Sequence, residues 1–206
     1  MALIKYNDNS ISAITTAGQL ASGGMVLIKE QTASSSANLS FVHGTSGVVL
    51  DNTYPIYLFK LINIHPASSS KMNVFFRDGG SDFDATVTSA NFSAYHAEDD
   101  SATSSYNESD SDVAQGSTVP LIRNLGGDQA DSSGVVIMYL FNPSSTTFVK
   151  HFITTDSYVY GSSYGAFSDR KAGYINTTTA IDGVKFQMAS GNIDAGTIKL
   201  YGVKDS

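Results

Sequence analysis

From Val184 onward the chain alternates apolar and polar positions one for one. Val184, Phe186 and Met188 share one face, and Lys185 and Gln187 the other. After a cluster of turn residues, Gly191, Asn192, Asp194 and Gly196, the alternation resumes with Ile198, Leu200 and Gly202 opposed to Thr197, Lys199 and Tyr201. A period of two marks a half-buried strand, because successive side chains of an extended backbone point to opposite faces. Two such arms around a Gly/Asn/Asp turn predict a C-terminal hairpin, its last strand tucked into a sheet instead of fraying.

Similar strand character predicts strands over 25–29, 38–43, 56–65, 72–77, 84–88, 91–97, 135–141, 147–154 and 171–175. Between them lie turn clusters: GTSG after His43, HPASSS after Ile64, DGGSD after Arg77 and NPSS after Phe141. LFNPSSTTFVKHF reads as a hairpin. Pro143 sets φ at a turn position, and Phe148, Lys150 and Phe152 alternate with Val149, His151 and Ile153. Short strands at this spacing predict an all-β, single-domain, antiparallel β-sandwich, jelly-roll-like, over 25–206. Residues 1–24 are expected to add an N-terminal strand or arm. In ISAITTAGQLASGG the β-branched residues and glycines oppose a helix, and an extended arm there could cross to a neighbouring subunit.

Composition sharpens this picture. With 30 Ser, 17 Thr, 11 Tyr and 11 Phe and only 15% charged residues, the 206-residue chain favours strands and polar turns over surface helices. It has no Cys, which excludes disulfides and thiolate metal sites, so packing or oligomerisation must hold the fold. A net charge of −7 argues against nucleic-acid binding through clustered cations. The longest apolar run, 135–141, is far short of a membrane span, and MALIKYNDNS lacks the apolar core of a signal peptide. Charge is unevenly spread. Between Arg77 and Arg123 there is no Lys or Arg, while nine of the nineteen acids fall there.

Candidate chemistry is sparse. In DGGSDFD, Asp78, Asp82 and Asp84 are the best candidates for a Ca²⁺ site, although the stretch does not match the EF-hand pattern, and a solvated loop is the competing reading. GSSYG satisfies G-x-S-x-G, but the AFSDRKAGYIN that follows has no helical spacing, so Ser163 reads as a loop serine. His43, His65, His96 and His151 share no metal-ligand spacing. Sequons at Asn38, Asn91, Asn107 and Asn176 are what a Ser/Thr-rich chain yields by chance. The remaining lead is YVYGSSYGAF. Its Tyr158, Tyr160, Tyr164 and Phe167 could form a recognition or interface surface, because Tyr offers rigid amphipathic area while Ser and Gly adapt. Packing inside the sandwich or between subunits is the alternative for these rings.

The phrases GMVLIKEQTASSSANLSFV, YPIYLFKLINIHPASSS, LFNPSSTTFVKHFITT and SGNIDAGTIKLYGV together resemble a family of structural (virion) proteins of tailed phages of marine bacteria, over nearly the whole chain from Gly24 to Val203. The resemblance implies a non-enzymatic component of the virion exterior, made in the host cytoplasm. Its partners would be other virion proteins of the capsid or tail and further copies of itself in a closed oligomer, trimers being common in that class. The expected role is a capsid decoration or cement-like subunit, with no nucleic-acid partner, no membrane insertion and no cofactor beyond the Ca²⁺ candidate. The alternative is a tail or tail-fibre module that recognises a host surface glycan or protein.

Overall fold

The computed structural model describes residues 24–107, 109–127, 129–160 and 165–204. Most of the arm expected over 1–24, together with Ser163 and Tyr164, lies outside them. Alternation in the sequence becomes alternation in burial. In β9 (Gly134–Phe141) and β10 (Lys150–Val159) every second side chain is buried along the strand. The two pair antiparallel around the NPSS turn, as the hairpin pattern predicts.

Two antiparallel sheets pack face to face. The larger contains β1 (Met25–Thr32), β13 (Ile193–Val203), β3 (Ile56–Pro66), β9, β10, β11 (Gly165–Ile175), β5 (Val87–Ala97) and β6 (Thr103–Asn107), in that spatial order, with β7 (Val113–Gly116) also paired to β5. The smaller has the order β2 (Leu39–Val42), β12 (Gly183–Met188), β4 (Ser70–Arg77) and β8 (Val119–Leu125). Eight of these strands pair as a nested set, β1 with β13, β2 with β12, β3 with β9 and β4 with β8. A long hairpin rolled up so that its pairs alternate between two sheets is a jelly roll, and the sandwich has that topology. The strands left over, β5 to β7 and β10 to β11, extend the larger sheet beyond the edge of the smaller one.

This wrapping corrects the predicted closing hairpin. Strand β12 pairs with β2 and β4, and β13 with β1 and β3, so the turn between them carries the chain from one sheet to the other. Both arms alternate because both face the same core, from opposite sides. Residues 84–88 and 91–97 do not form separate strands, since β5 runs unbroken from 87 to 97. It passes Gly173 on β11, where a Cβ would come within 2.8 Å of the Phe152 ring, so glycine lets that ring lie across the pair. Strand β8 escapes the alternation pattern. It lies at an edge of the smaller sheet, where Pro120 is tolerated, and its register with β4 shifts twice.

The core between the sheets is apolar. Phe41 of β2, Phe59 of β3 and Phe186 of β12 meet with centroids 5.4–6.2 Å apart. Leu61, Val74, Met138, Val184 and Leu200 are buried around them.

Candidate functional site

Under the extension of the larger sheet a polar patch interrupts the apolar inner face. Inward positions of β10, β11 and β5 stand in cross-strand rows, Thr154–Lys171–Asn91 and Asp156–Asp169–Ser93, with Tyr158–Phe167–Tyr95 beyond. Thr154, Asp169, Lys171, Asn91 and Ser93 are all buried, and Asp156 nearly so. Arg123 of β8 and the 3₁₀ turn Ser109–Ser111 close over them.

Each group is held by named partners. Ser93 Oγ donates to Asp169 Oδ1 and accepts from Asn91 Nδ2 at 3.2 Å. The Tyr158 hydroxyl donates to Asp169 Oδ2 at 3.3 Å, and Arg123 Nε lies 3.6 Å from the same oxygen. Asp156 Oδ1 accepts the Asp169 backbone N–H at 2.6 Å. Lys171 Nζ donates to the Ser111 carbonyl at 2.8 Å, and Asp112 Oδ1 accepts the Asn91 N–H at 2.6 Å. Among the described residues, Asp156 Oδ2, Asn91 Oδ1, Thr154 Oγ1 and Ser111 Oγ find no hydrogen-bond partner.

Three carboxylates, Asp112, Asp156 and Asp169, face two cations, Lys171 and Arg123. Full ionisation would leave an uncompensated buried negative charge, and the low-dielectric interior opposes that. The proton falls to Asp156. Burial, reinforced by repulsion from Asp169, pushes its carboxyl up to about 8. Burial also brings Lys171 down to about 8 against the pull of Asp169, Asp112 and Asp156. Tyr158 is raised by burial and by Asp169. The cluster thus holds a basic amine, a primary amide and a protonated acid in one water-poor volume.

The residues singled out from sequence are arranged differently. Asp78 is half-buried while Asp82 and Asp84 point to solvent, and among the described residues no three of His, Asp and Glu gather closely enough to hold a metal ion. The expected Ca²⁺ site is therefore not assembled. Tyr158 and Phe167 do not form a recognition loop: they are buried strand residues, and Phe167 stacks between Tyr160 at 4.4 Å and Tyr95 at 4.6 Å. Of the histidines, His43 Nδ1 accepts the Leu50 N–H, His65 contacts the Ser132 carbonyl and His96 pairs with Asp100.

A second feature, missed by the sequence reading, lies on the outer face of the larger sheet. One cross-strand row there reads Leu27, Tyr201, Leu58, Tyr139, Ile153, Ala172, Ala90. A neighbouring row contains Met25, Val203, Ile56 and Phe141. The charged side chains of this face, Glu30, Lys199, Lys60 and Arg170, fall in a single row, where Lys199 pairs with Glu30 at 2.9 Å and Lys60 sits over the Tyr201 ring. The signal was present in GVVIMYLF, where both parities of β9 are apolar and so both faces of the strand call for cover. Toward β5 the outward residues include four alanines, Ala166, Ala172, Ala90 and Ala94, interspersed with Arg170, Tyr174, His96 and Phe92, the last at 53% exposure. Neither a family model nor a curated protein matches this sequence.

Proposed function

We propose that this chain is a structural interaction subunit that works by docking its larger sheet onto protein, as a decoration or cement-like component on the exterior of a tailed-phage virion. The observation that carries this reading is the outer face just described. Apolar rows run across five strands of this face, with Met25, Leu27, Tyr139 and Ile153 exposed and Leu58 buried among them, and such patches mark association surfaces. The occupant we assign is a second copy of the chain. Bulky apolar residues crowd the part of the face around β13, β3 and β9, whereas around β11 and β5 four alanines leave gaps between Phe92, Arg170 and Tyr174, and we assign the bulky part of one copy to these gaps on the next. Unlike patches meeting head to tail generate closed rings when the rotation closes, which suits a trimer. The jelly roll supports the reading only by analogy, since that architecture serves in viral capsid and lectin domains alike.

The test is the location and stoichiometry of the chain in purified particles, by imaging and by quantifying it against the major capsid protein. A copy number comparable to that of the capsid protein, on the shell, supports the decoration role. A few copies at the tail would overturn it in favour of a host-recognition module, which would bind glycan or protein as an isolated subunit.

A further inference from the structure

We propose that Lys171 and Asn91 join in an intramolecular amide bond, a self-catalysed cross-link between strands β11 and β5. The two are direct antiparallel partners on the same inner face, at 1% and 2% exposure. Side chains so opposed have Cβ atoms about 4.5–5.5 Å apart, within reach of a lysine chain. Their outer contacts fix the placement further. Lys171 Nζ is held by the Ser111 carbonyl, and Asn91 N–H by Asp112, the very next residue, so both partners are anchored to the same short segment. Asn91 is itself oriented, its Nδ2 on Ser93 Oγ and its Oδ1 without a partner among the described residues.

The chemistry balances without any further reactant. Lys171 loses a proton, and the neutral amine adds to Cγ of Asn91, forming the N–C bond while the carbonyl electron pair moves onto Oδ1. Collapse restores the C=O and breaks Cγ–Nδ2. The departing nitrogen takes up protons and leaves as ammonium, so one ammonium and one primary amide become one secondary amide and NH₄⁺. Asp112 and Asp169 both face Lys171 and can accept the protons it sheds. Ser93 bridges Asp169 to Nδ2 and can return a proton to the leaving group. Burial, which holds the amine well below the usual lysine range, keeps part of it neutral and nucleophilic near physiological pH. The same exclusion of water protects the intermediate from hydrolysis. This cross-link does not depend on the assignment of the chain to a virion.

The deciding measurement is the intact mass of the denatured wild-type protein, followed by peptide mapping. The expected mass is lower than the sequence mass by one ammonia, about 17 Da, and the digest should yield a branched peptide joining Lys171 to Asn91 with Lys171 resistant to trypsin. Asn91→Ala and Lys171→Met should each restore the full sequence mass. An unmodified wild-type mass overturns the proposal, and because it is read on the native sequence a variant that fails to fold does not affect it. A loss of one water with the branch at an aspartate, or a loss of ammonia confined to one linear peptide, overturns the assignment to Asn91.

Discussion

The larger sheet has two halves that solve the same problem in opposite ways. Where β1, β13, β3 and β9 face the smaller sheet, the inward positions are aromatic and aliphatic, and interlocking rings fill the space. Along the middle of β10, β11 and β5 the inward positions become Thr154, Asp156, Asp169, Lys171, Asn91 and Ser93, between the core residues Phe152 and Ile175 at one end and Tyr158 and Phe167 at the other. The first half draws stability from removing apolar surface from water and from dense packing. The second must satisfy each polar group it buries, and among the described residues several of its polar atoms find no partner. Burial alone therefore does not measure what a region contributes. Substitutions should separate the two regions.

The largest effect is expected in the apolar half. Phe59→Ala removes a fully buried ring that contacts Phe41 and Phe186, and should lower unfolding stability by about 3–5 kcal/mol, read from denaturant midpoints. In the polar half the leading effect is a pH dependence. Asp156 ionises near 3.8 in the unfolded chain and near 8 in the fold, so the folded state binds the extra proton between those values. Stability from this group is present below pH 3.8 and is lost as pH rises through about 8. Asp156→Asn should flatten that decline, the two proteins diverging by on the order of a few kcal/mol across the window. A wild-type profile equally flat there would contradict the assignment of the proton.

A smaller contrast comes from one swap made in both directions. Thr154→Val removes a buried hydroxyl without a partner among the described residues and should be neutral or stabilising by about 1 kcal/mol. Val74→Thr, at a fully buried site between the sheets, should cost about 1–3 kcal/mol. The outer face should respond least in stability. Tyr139→Ser and Ile137→Ser should change monomer unfolding by about 0.5 kcal/mol or less, yet shift the solution mass from oligomer to monomer in light scattering. Oligomers that persist unchanged would place the contact elsewhere.

Much of the fold was legible because alternation is a local signal. A period of two identifies β1, β3, β4, β9 and β13 wherever they pair, but it carries no information on which sheet a strand joins. That is why β12 and β13 read as a hairpin. Short polar β6 and β7 gave no pattern, since the burial that would create one is absent: all five residues of β6 are exposed. The buried cluster failed to appear for a related reason. Charged residues in a strand read as its solvent face, yet Asp156 has the parity of Phe152 and Tyr158, and Asp169 and Lys171 that of Phe167 and Ile175. Parity was the available clue. Of the rings in YVYGSSYGAF, Tyr158 and Phe167 follow the alternative reading, packing inside the sandwich, because they hold buried positions at the ends of β10 and β11.

The nested strand order also sets a timetable. Strand β13 lies between β1 and β3, so two of the earliest strands wait for one of the last before their hydrogen bonds are complete. On a ribosome, that neighbourhood cannot close until residue 203 has left the exit tunnel, and the half-made sheet meanwhile offers bare edges to other chains. Pairings this distant in sequence make loop closure expensive and folding slow. The newly made protein should therefore depend on chaperones, and synthesis at lower temperature should raise the soluble yield more than added stability would.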